Sequence, residues 1–173
     1  MDSGLSPHPE IAPHRILHFH DFVYGRTTPY DDYSHGTHVT GIIGAKQIGI
    51  APECNLIALK ILDHHGNCSI ELFIEAIHWL LTHQYEYNIR IVNMSVGSNP
   101  SISRTEQILL NLWVSRLWEA GLIVCCSAGN NGPTRNTITA PGNCEDIITV
   151  GSCDGTSFSS ISRIPSPKPE VCA

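Results

Sequence analysis

The sequence predicts an α/β fold with a mostly parallel central sheet, because strand-like and helix-like segments alternate along its 173 residues. The helix-like segments carry apolar residues at helical spacing, and short, mainly apolar segments separate them. This order is typical of βαβ units, in which a helix connects two parallel strands. Ligands bind beyond the carboxyl ends of the strands in such sheets. We therefore expect functional residues where the strands end, within one domain that covers residues 1–173.

Five segments are predicted as strands. The first, residues 15–23, alternates apolar and polar side chains, which indicates a half-buried strand. The other four are dominated by apolar residues and comprise residues 56–62, 89–96, 122–127 and 146–151. The end of the chain is polar and rich in proline, and no further element is predicted there.

Three segments are predicted as helices, at residues 35–46, 69–83 and 103–120. Glycines in the first helix indicate a face that packs closely against its surroundings. Ser69 is expected to cap the second helix, and Gly121 is expected to end the third. The predicted buried stripe of the second helix comprises Leu72, Ile74, Ala76, Ile77, Leu80 and Leu81.

Composition excludes several classes of function. Hydrophobic residues make up 42% of the chain and charged residues 15%, which is typical of a soluble globular protein. The formal net charge is -6, without a cluster of lysines and arginines, so nucleic acid is not expected as a partner. No apolar segment is long enough to cross a membrane, and no signal peptide is visible. The seven cysteines are odd in number and form no CxxC pair, so we predict reduced cysteines and a cytoplasmic protein.

Three short motifs carry candidate chemistry, and each also has an ordinary structural explanation. Asp-Ser-Gly at residues 2–4 is by itself typical of a turn. His-Gly-Thr-His-Val-Thr-Gly at residues 35–41 places a histidine at a helix start, where it presents an imidazole to a cleft, caps the helix, or binds a metal together with His38. No third ligand follows at a familiar distance, so no metal is predicted. Ser-Ala-Gly-Asn-Asn-Gly at residues 127–132 is either a turn after a strand or a fixed amide donor.

In this combination and order, the motifs resemble those of the subtilisin-like serine proteases (the peptidase S8 family), and most of all their intracellular, AprX-like branch. The resemblance covers nearly the whole chain. Its most specific parts are the histidine motif at residues 35–41 and Ala-Gly-Asn-Asn-Gly-Pro at residues 128–133. Val-Asn-Met-Ser-Val-Gly at residues 92–97 and Gly-Ile-Ala-Pro at residues 49–52 also match. The resemblance implies a three-layer subtilisin-like fold, incomplete in this chain, and serine endopeptidase activity.

The resemblance also implies a role for each motif. Asp2 would be the carboxylate that orients the catalytic imidazole, His35 the general base, and Asn130 the amide donor to the oxyanion. A serine hydroxyl needs an imidazole to take its proton, and the resulting imidazolium needs a carboxylate beside it. Removal of the corresponding asparagine of subtilisin lowers the rate about 100- to 1,000-fold.

A substrate cleft follows from the same resemblance. Ser95, Val96 and Gly97 would pair with an extended peptide or protein substrate, and Ala128 and Gly129 would line the pocket for the residue before the scissile bond. Without the resemblance, both segments are ordinary strand ends.

The family's nucleophile lies in a Gly-Thr-Ser-Met-Ala-x-Pro motif, and this motif does not occur in the sequence. The family's first strand, which ends at the catalytic aspartate, is not present either, because only Met1 precedes Asp2. We therefore expect a partial catalytic domain that is inactive alone, marginally stable, and dependent on a complementary Ser-bearing segment. Gly-Thr-Ser at residues 155–157 matches the first three residues of the motif, but the residues that follow differ from it, so Ser157 is not predicted to be the nucleophile.

Calcium sites occur in subtilisins, and Asp31 and Asp32 could contribute ligands, but the recognisable loop signature is not present in the sequence, so no cofactor is predicted. Two other functions remain open. A non-catalytic module would use the same cleft to bind peptides or a partner protease. An unrelated nucleotide-binding domain would need a glycine-rich turn after its first strand, and no GxGxxG or P-loop motif occurs.

Overall fold

The computed structural model describes residues 1–132, 134 and 136–152, and the backbone of residues 171 and 172. After a short 3₁₀ turn at Pro13–Arg15, the elements in chain order are β1 Ile16–Asp21, α1 His35–Gly44, β2 Leu56–Lys60, α2 Ile70–His83, β3 Ile91–Met94, α3 Arg104–Glu119, β4 Ile123–Ser127, β5 Ile148–Gly151 and β6 Val171–Cys172. All eight predicted helices and strands are present, each somewhat shorter than predicted. The sequence pattern did not predict β6.

The predicted ends of β1 and α1 were wrong for identifiable reasons. Arg15 belongs to the 3₁₀ turn and is buried, because its guanidinium donates hydrogen bonds to the carbonyl oxygens of Cys54 at 2.9 Å and Gly44 at 2.7 Å. The strand therefore begins one residue later. The helix α1 ends at Gly44 because Ala45 is extended, with ψ 144°.

The strands form parallel ladders, as predicted, but within the described residues they make two sheets. One contains β1 and β2, and the other has the order β3-β4-β5-β6. Beside β2, the chain makes one isolated parallel bridge between Asp2 and Lys60. The chain forms two compact units, Met1–Ala76 and Ile77–Ala173, and each is described by itself below.

The first unit contains β1, α1 and β2, together with the first half of α2. Its buried apolar side chains include Leu5, Ile11, Leu59, Ile61 and Phe73. The segment before β1 is therefore part of the core rather than a loose terminus. Asp2 and Ser3 are also buried in this unit, so its first residues place polar groups where water is largely excluded.

Along the strands of the second unit, buried side chains alternate with more exposed ones. Val92 and Met94 of β3 and Val124 and Cys126 of β4 are buried, and the residues between them are more exposed. This alternation with a period of two is the pattern of a sheet covered mainly on one face. The helix α3 packs against β4.

The helix ends follow the sequence signals. The hydroxyl of Ser69 accepts a hydrogen bond from the backbone N–H of Leu72 at 3.3 Å, so the predicted cap of α2 is confirmed. Ser103 and Glu106 form a reciprocal capping box at the start of α3. Gly121, with φ +87°, ends that helix as predicted.

The predicted buried stripe of α2 was wrong in part. Its buried residues are Phe73, Ala76, Ile77 and Leu80, which follow the spacing i, i+3, i+4 and i+7. Ala76, Ile77 and Leu80 were therefore predicted correctly, and Phe73 was missed. Leu72, Ile74 and Leu81 are only half-buried. In the part of the chain that the structure describes, no helix is long and apolar enough to cross a membrane.

Candidate active site

The structure brings Asp2 and His35 into direct contact. Nδ1 of His35 lies 2.7 Å from Oδ1 of Asp2, and the same oxygen accepts a hydrogen bond from the backbone N–H of Ser3 at 2.7 Å. The Asp2 side chain is 11% exposed and the imidazole 40% exposed. A buried carboxylate therefore holds one edge of a ring whose remainder is open to solvent.

Two elements fix the positions of these side chains. His35 is the first residue of α1. The backbone of Asp2 is anchored beside β2, because its N–H donates to the carbonyl of Leu59 at 3.0 Å and its carbonyl accepts from the N–H of Ile61 at 2.9 Å. Residues that lie far apart in the sequence thus meet through main-chain pairing and not through flexible side chains.

The contact requires glycines on both sides. A Cβ added to Gly36 would lie 2.3 Å from the carbonyl oxygen of Gly4 and 3.1 Å from Cβ of Asp2. Gly4 itself has φ +134°, and a Cβ there would lie 2.2 Å from the carbonyl oxygen of Tyr30. Of the glycines that the sequence placed on a closely packed helix face, Gly36 therefore permits the approach of α1 to the Asp2 segment, whereas a Cβ at Gly41 would meet nothing within 4 Å.

Ser3 and Asp31 hold the two segments together, and neither role was predicted from the sequence. The hydroxyl of Ser3 donates to Oδ1 of Asp31 at 2.8 Å and accepts from the N–H of Gly36 at 2.9 Å. Oδ2 of Asp31 accepts from the N–H and the hydroxyl of Thr37, at 2.8 and 2.7 Å. A carboxylate beside the first turn of a helix satisfies N–H groups that have no partner within the helix. Asp31 therefore caps α1 and ties it to Ser3.

Hydrogen bonding keeps Asp31 ionised. Burial is the largest single influence and acts to raise the pKa of its carboxyl. The hydrogen bonds from Thr37, Ser3 and Tyr33 together outweigh burial, and the pKa of Asp31 is lowered below its ordinary value.

The residues that could contribute calcium ligands do not fit that role. Both oxygens of Asp31 already accept hydrogen bonds from protein donors, and Oδ1 of Asp32 lies 2.6 Å from Nζ of Lys60. Calcium takes six to eight oxygen ligands, and a lysine ammonium beside the carboxylate opposes a cation. Within the described ranges, no group of three His, Cys, Asp or Glu residues is placed to hold a metal ion.

The second unit brings together the two segments predicted to line the substrate cleft. The carbonyl of Val96 accepts a hydrogen bond from the hydroxyl of Ser127 at 3.2 Å. A Cβ added to Gly97 would lie 3.8 Å from Cα of Gly129. Ala128 is buried, and its N–H donates to the carbonyl of Val150 at 2.8 Å. The segments after β3 and β4 are thus adjacent and fixed to the sheet, as the parallel order of these strands requires.

Ser95 directly follows β3, and Asn130 lies three residues after the end of β4. Ser95 is half-buried and accepts a hydrogen bond from the side-chain amide of Asn93 at 3.0 Å. Asn130 is exposed and follows Gly129, whose φ is +85°. Its predicted convergence with Asp2 and His35 stays a prediction. Ser157 and its neighbours lie outside the described residues.

Comparison with known proteins agrees with this geometry. A model of the subtilase family, Peptidase_S8, matches residues 1–173. The chain belongs to the subtilase family. It is 36% identical over 171 residues to "Serine protease AprX" of Bacillus subtilis, an alignment that covers 92% of this chain and 38% of that protein. It is 33% identical over 173 residues to "Subtilisin E" of the same organism, covering 92% of this chain and 42% of the relative.

Solved structures place the fold in the same family. A cold adapted subtilisin-like serine proteinase superimposes with a TM-score of 0.76 at 27% identity, over 92% of this chain and 56% of that one. An S41 psychrophilic protease gives a TM-score of 0.78 at 27% identity, over 92% and 57%. The subtilisin-like fold is thereby confirmed. This subtilase chain spans about two-fifths of the length of the two curated relatives named above.

Proposed function

We propose that this chain supplies the acid–base part of a subtilisin-type serine endopeptidase. Asp2 orients His35, His35 acts as general base, and Asn130 donates its side-chain amide to the oxyanion. The nucleophilic serine is contributed from outside these 173 residues. The observation that carries the proposal is the 2.7 Å contact between Nδ1 of His35 and Oδ1 of Asp2.

This contact favours the tautomer of the neutral imidazole that the reaction needs. An ionised carboxylate only accepts hydrogen bonds, so the proton between the two groups belongs to Nδ1. In the neutral imidazole, Nε2 then carries the lone pair and takes a proton from a serine hydroxyl. When it does so, the ring becomes an imidazolium beside a carboxylate that is 11% exposed, and their attraction stabilises the charge that develops.

The substrate is expected to be an extended peptide or protein chain. The segment that contains Ser95, Val96 and Gly97 follows β3, and the Val96 carbonyl is held by Ser127. Ala128 and Gly129 follow the neighbouring strand. Two adjacent glycines, 97 and 129, leave room for a backbone to approach closely. This arrangement supports pairing of a peptide along one segment, with a pocket at the other.

The test of the missing nucleophile is a fluorophosphonate probe, which labels activated serines. We expect the isolated 173-residue chain to remain unlabelled, because no serine in it carries the family's nucleophile motif. Labelling of the isolated chain that disappears in Ser157→Ala would overturn the proposal and identify Ser157 as the nucleophile. Labelling that persists in that variant would place the nucleophile at another serine of the chain.

A second function, a peptide-binding module without catalysis, is favoured by one observation. The segments that would hold a peptide are fixed within the second unit by hydrogen bonds to its own sheet.

The test of this second function is a substitution at Gly97. A Cβ added at Gly97 meets its nearest atoms at 3.7 and 3.8 Å, so Gly97→Val should fold while filling the predicted groove. We expect it to weaken binding of a fluorescent extended peptide at least tenfold, whereas Gly41→Ala, which meets no atom within 4 Å, should leave binding unchanged. Equal binding by the two variants would exclude this groove.

A further inference from the structure

Lys60 has the largest side chain that is fully buried among the described residues, with 0% of its surface exposed. Its Nζ donates to the carbonyl oxygen of Ser3 at 2.6 Å, to Oδ1 of Asp32 at 2.6 Å and to the carbonyl oxygen of Leu62 at 2.7 Å. An ammonium has three donors, and all three are used. A lysine is almost never buried in this way unless it is paired, so the arrangement calls for a specific explanation.

One of the three contacts, to the carbonyl of Ser3, is with the segment that carries Asp2. The carbonyl of Ser3 is held by Lys60, while its N–H donates to the Asp2 carboxylate and its hydroxyl donates to Asp31. Every polar group of this buried serine is therefore committed, and Lys60 supplies the contact on the side facing β2. The counter-charge, Asp32, adjoins Asp31, which caps the helix that begins at His35.

We propose that Lys60 is a positioning residue for the Asp2–His35 pair, an inference that rests on the proposed function. By fixing the Ser3 carbonyl, Lys60 sets the orientation of the backbone next to Asp2, and hence the direction in which Oδ1 faces the imidazole. Asp32 makes burial of the ammonium tolerable, because an uncompensated buried charge is strongly destabilising. The effects on geometry and on stability are therefore separable. Lys60 sets the geometry of the backbone next to Asp2, whereas the pairing of Lys60 with Asp32 sets the free energy of unfolding.

Aromatic rings complete the enclosure of the ammonium. Nζ of Lys60 lies 5.1 Å from the ring centroid of Tyr30 and 5.8 Å from that of Tyr24, within the range of cation–π attraction. The hydroxyl of Tyr30 donates to Asp21 at 2.6 Å, and the Tyr30 carbonyl accepts from the N–H of Leu5. Tyr30 therefore contacts Lys60 through its ring and the Asp2 segment through its backbone, so a displacement of Lys60 is transmitted to that segment by two routes.

The experiment uses proton NMR of the full 173-residue chain. A proton shared between Nδ1 and a carboxylate resonates far downfield of the amide region, and the signal of His35 is identified as the one that disappears in His35→Gln. The variants are Lys60→Met, Asp32→Asn and the double variant, with Lys46→Met as the matched control, because Lys46 is exposed. Unfolding in urea is measured for each.

We expect Lys60→Met to lose the downfield signal or to exchange its proton with water at least tenfold faster. Asp32→Asn should lower stability but retain the signal, because Lys60 still holds Ser3. The double variant removes both charges, so it should recover stability relative to Lys60→Met while the signal stays lost. Lys46→Met should match the parent in both measurements.

A purely structural role for Lys60 predicts a different pattern, in which the double variant recovers the signal together with stability, and that result would overturn the inference. Should Lys60→Met fail to fold, the double variant, which buries no unpaired charge, decides between the two. A parent chain that folds but shows no downfield His35 signal would contradict the proposed function itself. The two failures are therefore distinguishable.

Discussion

Replacing Gly36 with alanine tests whether close packing of α1 against the Asp2 segment creates the Asp2–His35 contact. The added Cβ would lie 2.3 Å from the carbonyl oxygen of Gly4. Ordinary carbon–oxygen contacts are no shorter than about 3.3 Å, so one of the two segments must move by about 1 Å. The clash is with backbone on both sides, and no side-chain rotation relieves it.

The size of the effect follows from this displacement. A shift of about 1 Å added to the 2.7 Å distance between Nδ1 and Oδ1 exceeds the range of a hydrogen bond. Overpacking costs about 1–3 kcal/mol. The lost hydrogen bond adds only about 1 kcal/mol, because solvent partly screens the interaction of the half-exposed imidazole with the carboxylate. Gly41→Ala is the matched control on the same helix, because its Cβ meets nothing within 4 Å. The two variants should differ by about 2–4 kcal/mol in the free energy of unfolding.

The assay is urea unfolding followed by circular dichroism, combined with the downfield proton signal of His35. We expect Gly36→Ala to be less stable than the parent and to lack the signal, and Gly41→Ala to be at least as stable as the parent and to retain it. Equal stability of the two variants, with the signal present in both, would refute the claim that glycine at position 36 permits the contact.

Two further predictions concern charges and caps. Hydrogen bonds lower the pKa of Asp31 in the folded state, so the unfolded chain binds a proton at this carboxyl more readily than the folded chain does. The contribution of Asp31 to the free energy of unfolding is therefore complete above the unfolded pKa of about 3.9, and it is lost as the pH falls through the folded pKa. The difference in unfolding free energy between the parent and Asp31→Asn, measured in urea at several pH values, should therefore shrink as the medium is acidified; a difference that grows would contradict the assignment. Ser103→Ala, which removes the capping box of α3, should cost about 1 kcal/mol, whereas Ser101→Ala, outside the helix, serves as its control, and equal stabilities would exclude a capping contribution.

The helices and strands were predictable from the sequence because their signals are local. Hydrophobic periodicity found α2, and Ser69 and Gly121 marked helix ends with side-chain and backbone chemistry that acts over a few residues. The predicted stripe of α2 missed Phe73 and included three half-buried residues, because the depth at which each side chain is buried depends on tertiary packing. The two-residue strand β6 lies in a polar, proline-rich stretch and has no such local signal.

The site was predictable only in part, for the same reason. Glycines and a histidine in one motif indicated a close approach, and the resemblance to a family supplied Asp2 as the partner of His35. Lys60 lies inside the predicted strand 56–62, and nothing local reveals that it donates to Ser3 across 57 positions of sequence. Asp31 was considered as a metal ligand because a carboxylate looks alike in both roles; its donors became visible only in three dimensions.

If the proposed function is correct, the Asp2–His35 pair of this chain is competent to activate a serine that the chain does not contain. Mixing the chain with a segment that carries the family's Gly-Thr-Ser-Met-Ala motif, and following fluorophosphonate labelling of that segment, measures this competence. We expect labelling that requires both parts and that is lost with His35→Ala or Asp2→Ala. Labelling of the added segment that is equally strong with the His35→Ala chain would contradict the proposed role of the pair.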